Sequence, residues 1–216
     1  MVLFTLISKN DILILLMDNF VYESCKNRDM SHGYDYASRV KQNALNIYYK
    51  MSVDIRPEEK HIIAVSMLHD VADHKYDKDG KLREKLQMFL NKNYPFSANK
   101  ILDCIDAISF TRELKDGKRW FVQSLGKYWT QVRDIVSDAD KLEAIGKIGV
   151  ERCLNYGKEN GKTGIIYLLQ HMVDKLLILR NEYIVTEPGL EMAQGLHDEM
   201  VNIAMKSAID ELKAVK

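Results

Sequence analysis

The sequence predicts an all-α fold, and three observations support this prediction. Apolar residues recur at spacings of three and four along much of the 216-residue chain, as on the buried face of a helix. Alternating β-branched residues bounded by hairpin turns are scarce. Three prolines, Pro57, Pro95 and Pro188, give few forced breaks. We therefore expect one helical domain over residues 1–216.

Six apolar stripes define the predicted helices in chain order. They comprise Val40, Ala44 and Ile47; Ile62, Val65, His69 and Ala72; Ile101, Ile105 and Ile108; Ile135, Leu142, Ile145 and Gly149; Ile166, Leu169, Val173, Leu176 and Leu177; and Met192, Leu196, Met200, Ile203 and Ala204. Pro57 suits the opening turn of the second helix. Polar and glycine-containing stretches at 77–81, 114–120, 155–164 and 186–189 predict loops.

The composition is that of an ordinary globular protein, with 46% hydrophobic and 29% charged residues. Lys plus Arg and Asp plus Glu both number 31, so the formal net charge is zero. Such a chain lacks the basic excess of proteins that bind long nucleic acids, although a few cations can still hold a small phosphorylated ligand. The cysteines Cys25, Cys104 and Cys153 have no paired spacing and are typical of reduced thiols in a cytoplasmic protein.

The N-terminal stretch, residues 1–20, is the candidate targeting segment. Its apolar run is broken by polar residues 8–11, which leaves pieces shorter than the roughly 20 residues of a membrane-spanning helix. A basic leader and a small-residue cleavage site are both missing, so we expect no signal peptide and no membrane span. We predict that the segment packs on the helical domain or lies at a subunit contact.

A group of ionisable residues follows the second predicted helix, in the sequence "LHDVADHKYDK". His69 shares the inward stripe of that helix, and a single histidine there is usually a core residue with satisfied hydrogen bonds. Asp70 beside it favours a site, because an adjacent His and Asp at a helix end can bind one metal ion. Asp73, His74 and Lys75 follow at once.

A second acidic group lies in "SDADKLEAIG", residues 137–146. Ser137 could cap a helix, with Asp138 and Asp140 as acids of its first turn. Successive helical residues are about 100° apart, so only one of the two acids is expected to serve a given site. Periodicity favours Asp138, which shares the stripe of Ile135 and Leu142.

A third group is "MSHGYDYASRV", residues 30–40, in which His32 and Tyr36 are four residues apart. If a helix already runs there, both align with Val40. The simpler interpretation is a polar helix start with Tyr36 at the edge of the core.

These groups together resemble the H…HD…D pattern of the HD-domain metal-dependent phosphohydrolases, and most closely the small HD hydrolases with nucleotide pyrophosphohydrolase activity. The resemblance covers nearly the whole chain after the first segment, and its longest phrase is "DADKLEAIGKIGVERCLNYG". It implies an all-α HD domain with a metal ion among the central helices. It also makes His69, Asp70 and Asp140 metal ligands, so the family phrase selects Asp140 where periodicity favours Asp138.

The first ligand is where this chain departs from the family pattern. Most HD proteins have a histidine four residues before the position of Val40, where this sequence has Tyr36. Close relatives often carry another histidine four residues earlier, which His32 matches. The resemblance therefore implies either that His32 binds the metal or that the site lacks one ligand.

Two imidazoles and two carboxylates suit Mn²⁺, Fe²⁺ or Co²⁺ better than Mg²⁺, which prefers an oxygen shell. Asp73 lies one helical turn beyond Asp70 and is expected to orient or deprotonate the attacking water; matching HD enzymes often have an acid at this spacing. The expected phosphate-binding groups are cations and histidines close to the motifs. These are Lys75 and Lys141 first, then Arg39 and Lys175, with His74 and His171 as donors. Arg39 and Lys175 are also typical of surface ion pairs.

The sequence thus predicts a cytoplasmic, metal-dependent phosphohydrolase that acts on a nucleotide or a similar phosphate compound. The alternative is a nucleotide- or metal-binding regulatory protein with little turnover, and Tyr36 is the residue that favours it. Long nucleic acids and membranes are not expected as partners. The nucleotide, the released product, the physiological metal and the oligomeric state, a homo-oligomer included, stay open.

Overall fold

The computed structural model describes residues 8–29, 32–159, 161 and 164–214, and over these residues the chain is helical, with ten α-helices and no strand. The helices are α1 (Lys9–Cys25), α2 (Tyr34–Lys50), α3 (Glu59–Leu68), α4 (Lys81–Asn93), α5 (Ala98–Ile108), α6 (Phe110–Asp116), α7 (Val122–Ala144), α8 (Gly146–Glu159), α9 (Ile165–His171) and α10 (Glu187–Ala214). A 3-10 turn at Val53–Ile55 and π-helical turns at Met172–Leu176 and Leu179–Tyr183 complete the described elements. The all-α prediction is confirmed.

The centre of the fold is formed by α2, α3, α5 and α7, which pack on one another. Their apolar stripes lie where periodicity predicts them, with Val40, Ile47, Ile62, Ile101 and Ile135 buried. Burial of such side chains contributes about 1.5–3 kcal/mol each. The two helices that carry the sequence motifs, α3 and α7, are therefore rigid supports inside the core.

The predicted stripe from Ile135 to Gly149 is divided between two helices. Helix α7 ends at Ala144, Ile145 is extended, and α8 begins at Gly146 with a φ of 75°. A positive φ costs little only for glycine, so Gly146 allows the chain to turn here. The prediction of one continuous helix was wrong at this point.

The stripe predicted from Ile166 to Leu177 is also out of phase. Ile166 and Val173 are 78% and 58% exposed, whereas Leu168 and Met172 are buried. The π-helical turn at Met172–Leu176 adds a residue and rotates Val173 and the side chains after it, but it does not account for Ile166, which lies before it in α9.

Residues 137–140 lie well inside α7, so the alternative in which Ser137 caps a helix is wrong. Asp138 is fully buried, as periodicity predicts. Its carboxylate accepts hydrogen bonds from the Val185 and Thr186 amides and from the Thr186 hydroxyl, at 2.7–3.1 Å. A Cβ at Gly189 would lie 2.9 Å from Asp138 Oδ2, so the start of α10 fits closely on α7.

Residues 1–7 of the N-terminal segment are not among the described residues. The described part of this segment begins at Ser8 and continues into helix α1. Ser8 and Asp11 form a capping box at its start. Met17 and Val21 are buried, whereas Leu15 is 62% exposed. Among the described helices, none has both the length and the apolar character to cross a membrane. The three cysteines are buried free thiols.

Candidate active site

The His69-Asp70 pair lies directly after the buried helix α3, which ends at Leu68. The residues after this pair are held by short-range turns rather than by a continuing helix. His69 Nδ1 donates a hydrogen bond of 2.8 Å to the Ser66 carbonyl, which orients the ring. Its Nε2 atom points towards α7 and lies 3.4 Å from Asp140 Oδ1. The side chains of His69 and Asp140, distant in sequence, therefore meet.

Electrostatics couples this pair. Burial by itself would lower the pKa of His69, but the carboxylates of Asp140 and Asp70 outweigh it and raise the pKa to about 9. Burial likewise disfavours the Asp140 carboxylate, yet His69 and a hydrogen bond from Tyr36 hold its pKa at about 2. The negative charges of Asp70 and Asp140 thus lie close to the buried imidazole of His69.

Two buried polar atoms at this point have no hydrogen-bond partner, His69 Nε2 and Asp70 Oδ2. His69 Nε2 has only the 3.4 Å ion pair with Asp140, and Asp70 Oδ2 has no partner. Burying a polar atom without a good hydrogen bond is costly, and burial raises the pKa of Asp70. A divalent cation would compensate both atoms. The 3.4 Å separation between His69 Nε2 and Asp140 Oδ1 also suits two ligands of one ion, whose bonds are about 2.0–2.2 Å long.

The donor atoms therefore fit a divalent cation in kind, although their present arrangement is not a complete site. In the part of the chain that the structure describes, no three His, Cys, Asp or Glu side chains converge closely enough to hold an ion. His69, Asp70 and Asp140 are the residues whose donor atoms could bind it.

Tyr36 occupies the position that corresponds to the missing family histidine. It lies in the first turn of α2, is buried, and donates a hydrogen bond to Asp140 Oδ1. Burial, with Asp140 beside it, raises the pKa of the phenol well above its ordinary value. The group next to Asp140 is therefore a neutral hydroxyl, a weak ligand in its protonated form.

His32 precedes α2, and both of its ring nitrogens already face other side chains. Nδ1 lies 3.2 Å from Asp29 Oδ1, and Nε2 lies 3.4 Å from Lys75 Nζ. Its ring centroid is 6.3 Å from that of Tyr36. His32 borders the same cavity as Asp140, but its service as a fourth metal ligand stays a prediction.

A cavity of about 550 Å³ opens beside Asp140. Its polar wall includes Lys75, Arg152, His171 and Lys175, and its apolar wall is formed by Ile108, Phe110, Ala144, Tyr167, Leu176 and Leu179. The volume is within the usual range for small-ligand pockets. The cavity thus combines a cationic wall, an apolar wall and the His69-Asp140 pair at one edge.

Two lysines of this cavity have no carboxylate partner within the described residues. Lys75 Nζ has His32 Nε2 as its neighbour, and Lys175 Nζ lies 5.5 Å from the centre of the Phe110 ring. Burial, and then the charge of Lys75, lowers the pKa of Lys175. Burial and Lys175 lower the pKa of His171 in turn. Unpaired cations that repel one another favour an anionic ligand.

Lys141 lines the cavity, but its ammonium already has partners inside the protein. Its ammonium is buried and lies 2.9 Å from Glu113 Oε2, and it also bonds the Ser137 hydroxyl. Glu113 in turn contacts the fully buried Arg133 at 2.6 Å. Lys141 is thus part of a buried ion network, and its predicted contact with a phosphate stays a prediction.

Two further predicted phosphate contacts lie away from the cavity. Arg39 Nε is 2.7 Å from Glu143 Oε2, so Arg39 forms an ion pair, as the sequence offered as an alternative, although the Glu143 side chain is only 10% exposed. The His74 side chain is 89% exposed. The structure therefore supports neither residue as a substrate contact.

Asp73 lies in the turn after Asp70, not on a continuing helix. Its Oδ1 atom accepts a hydrogen bond of 2.8 Å from the Lys75 amide and so shapes this turn. That Asp73 orients or deprotonates the attacking water stays a prediction.

Arg152 and Arg28 are two residues that the sequence motifs did not identify. Arg152 lines the cavity, and its guanidinium lies 5.0 Å from the centre of the Tyr36 ring. It belongs to the phrase "GVERC", so the family phrase could have identified it. Arg28 donates to the carbonyls of Asp70 and Val71, and no sequence pattern points to it.

Comparisons with solved structures support this fold. The chain is similar to the Listeria innocua protein Lin1889, with 22% identity, a TM-score of 0.70, and coverage of 97% of this chain and 100% of that one. It is similar to Bacillus subtilis YpgQ in complex with ADP, with 19% identity, a TM-score of 0.69, and coverage of 92% and 95%. It is also similar to an HD-superfamily hydrolase from Bacillus thuringiensis, with 20% identity, a TM-score of 0.64, and coverage of 96% and 100%.

No protein-family model matches the sequence, and the search of curated proteins gave no match either. At 19–22% identity the structural likeness shows the fold. The protein therefore has an all-α fold in which one histidine-aspartate pair and a distant aspartate meet. The fold is shared with an HD-superfamily hydrolase, so the resemblance is confirmed at the level of the fold.

Proposed function

We propose that this protein is a metal-dependent phosphohydrolase that acts on a small phosphorylated compound, with a nucleotide as the first candidate. The observation that carries the proposal is the 3.4 Å approach of His69 Nε2 to Asp140 Oδ1, together with the buried Asp70 Oδ2, which has no hydrogen-bond partner. The cavity with unpaired lysines begins at the same carboxylate. Metal-binding groups and phosphate-binding groups thus share one site.

His69, Asp70 and Asp140 are the side chains that would hold the cation, with Mn²⁺, Fe²⁺ or Co²⁺ favoured by the mixed nitrogen and oxygen donors. Such an ion supplies a water of lowered pKa and polarises a phosphoryl oxygen. The Ser66 carbonyl holds the His69 ring in the orientation that presents Nε2.

The chain's own cations would bind and neutralise the phosphate groups. Lys75, Lys175 and Arg152 line one cavity, and charge on a transferring phosphoryl group must be compensated there. His171 can donate a further hydrogen bond. Asp73 follows Asp70 closely enough in the turn to be tested as the group that orients a water.

The apolar wall supports a substrate with a flat or apolar part beyond its phosphates. Phe110 and Tyr167 offer aromatic surface on which a nucleobase can stack. Structural similarity to YpgQ in complex with ADP supports a nucleotide as the first compound to test.

The test is release of phosphate or pyrophosphate from a panel of nucleoside mono-, di- and triphosphates in the presence of Mn²⁺ or Co²⁺. We expect turnover that EDTA abolishes and that Asp70→Ala lowers by at least about 100-fold. Asp79→Ala, in the exposed loop before α4, is the matched control and should retain activity. Equal activity of wild type and Asp70→Ala would assign the turnover to a contaminant and reject the proposal.

A second function, a nucleotide- or metal-binding regulatory module, is favoured by Tyr36. A neutral phenol lies on Asp140 where a full HD site has an imidazole, and the described ligands do not yet converge. This alternative predicts that ADP binds measurably while turnover stays at the level of Asp70→Ala. Calorimetry with ADP beside the activity panel separates the two functions.

A further inference from the structure

We infer that Arg28 is a positioning residue that holds the His69-Asp70 turn in the geometry needed for metal binding. The inference deepens the proposed function and rests on it for the role of the metal. It assigns a purpose to the segment between α1 and α2, which contains none of the expected ligands except His32.

The turn that carries the proposed ligands needs an external support. Helix α3 ends at Leu68, and the next residues keep only short-range bonds, such as Val71 N to Leu68 O at 3.1 Å and Asp73 N to Asp70 O at 3.1 Å. The backbone of Asp70 is therefore not held by a continuing helix after it, as the backbone of a residue inside a helix is. Carbonyls at such a helix end need other donors.

The guanidinium of Arg28 supplies these donors. Nη1 donates to the Asp70 carbonyl at 2.7 Å, and Nη2 donates to the Val71 carbonyl at 2.6 Å. Two bonds from one rigid plane fix two consecutive peptide groups, which sets the direction of the Asp70 side chain. An ammonium is a single point of charge and does not reproduce this fork.

Tyr76, which follows the His69-Asp70 turn, holds Arg28 in place. Its guanidinium stacks 4.3 Å from the centre of the Tyr76 ring. The Tyr76 hydroxyl donates to Asp29 Oδ2 at 2.7 Å, and Asp29 Oδ1 lies 3.2 Å from His32 Nδ1. Because Asp29 follows Arg28 in the sequence, these contacts form a closed network. The network connects the His69-Asp70 turn with His32 on the other side of the proposed metal site.

Arg56 provides a matched control elsewhere in the fold. It donates to the carbonyls of Met51 and Tyr49 at 2.7–2.9 Å, and its guanidinium lies 5.3 Å from the centre of the Tyr48 ring. Arg56 thus makes the same kinds of contact at the end of α2. A loss of general stability affects both variants, whereas a loss of positioning affects Arg28 alone.

The first experiment follows amide hydrogen exchange in EDTA-treated wild type, Arg28→Lys and Arg56→Lys. We expect peptides that cover residues 69–77 to exchange about tenfold faster in Arg28→Lys, since loss of one or two hydrogen bonds is worth about this factor. Arg56→Lys should leave these peptides unchanged. Unchanged exchange at 69–77 in Arg28→Lys would overturn the inference.

The second experiment measures Mn²⁺ binding by calorimetry. We expect Arg28→Lys to bind Mn²⁺ about 10–100-fold more weakly, as happens when support of metal ligands is removed, and Arg56→Lys to match wild type. Equal weakening in both variants would reduce Arg28 to a general stabilising residue. If wild type binds no Mn²⁺, the proposed function fails, and the exchange comparison then decides by itself whether Arg28 holds the turn.

Discussion

Tyr36 donates a hydrogen bond to Asp140 Oδ1 across 104 positions of sequence, and the same oxygen lies 3.4 Å from His69 Nε2. One carboxylate oxygen is thus shared by a phenol and an imidazole. A cation bound to Asp140 and His69 would have this phenol as its neighbour, in place of a further basic nitrogen.

The first prediction concerns that phenol. Tyr36→His should tighten Mn²⁺ binding by about tenfold or more, because a neutral imidazole is a better ligand than a protonated phenol. Calorimetry with Mn²⁺ measures the change. Tyr36→Gln, which is polar and unable to supply an imidazole, is the control. Equal affinity in wild type and Tyr36→His would show that this position is not adjacent to the ion.

The second prediction separates His32 from Tyr36. If His32 serves as the fourth ligand, His32→Ala lowers the metal content of the purified protein, whereas Tyr36→Phe does not. Elemental analysis of protein loaded with Mn²⁺ gives the occupancy. Because Asp29 and Lys75 already face the His32 ring, binding requires this ring to move. Loss of metal in Tyr36→Phe alone would assign the role to Tyr36.

The third prediction tests the cationic wall. Lys175→Ala should weaken ADP binding by about 10–150-fold, since a charge-assisted hydrogen bond is worth about 1.5–3 kcal/mol. Lys147→Ala is the control, because Lys147 is exposed and its neighbour Glu151 lies 3.9 Å away. Titration calorimetry with ADP compares them. Equal affinity for ADP in wild type and Lys175→Ala would remove Lys175 from the phosphate site.

The fourth prediction follows from the buried network of Lys141, Glu113 and Arg133. Lys141→Ala should lower the free energy of unfolding by about 3–5 kcal/mol, because it leaves Glu113 with one of its two buried cations missing. Urea denaturation measures this value. Lys81→Ala, at an exposed ion pair, should change it by less than about 1 kcal/mol. A similar loss in both variants would contradict the structural role of Lys141.

The fifth prediction is a pH dependence that originates outside the active site. Burial lowers the pKa of His61, partly opposed by Glu58 and reinforced by Lys60, so the unfolded chain binds this proton more readily than the folded one. Stability should therefore fall as the pH drops below about 6.5. Thermal unfolding of wild type and His61→Gln from about pH 7.5 to pH 5 tests this. Identical pH slopes would show that His61 is not responsible.

The central helices were predictable because their burial follows helical periodicity over many residues. Val40, Ile62 and Ile135 are buried as the stripes indicate. The errors lie where local backbone geometry departs from the α-helix. Gly146 reverses the chain between α7 and α8, and the π turn at Met172–Leu176 shifts the phase of the residues after it. Neither the turn at Gly146 nor the π turn can be recognised from the spacing of apolar residues in the sequence.

The site was predictable only in part, for a related reason. Periodicity selects the buried member of each acidic pair, and Asp138 is indeed the more buried one. A ligand must instead face a cavity, and the family phrase was needed to select Asp140. The ion pairs of Lys141 and Arg39 are formed with Glu113 and Glu143, and no short motif connects these partners in the sequence.

Gly189 leaves room for the hydrogen bonds that join the start of α10 to α7. A Cβ at this position would lie 2.6 Å from the Thr186 hydroxyl oxygen and 2.9 Å from Asp138 Oδ2. These two atoms are the partners of one hydrogen bond of 2.7 Å, so a larger residue would push the Thr186 and Asp138 side chains apart. The fully buried Asp138 carboxylate would then lose a donor, which is costly away from water. The bare backbone at residue 189 is therefore what keeps this buried acid supplied with donors.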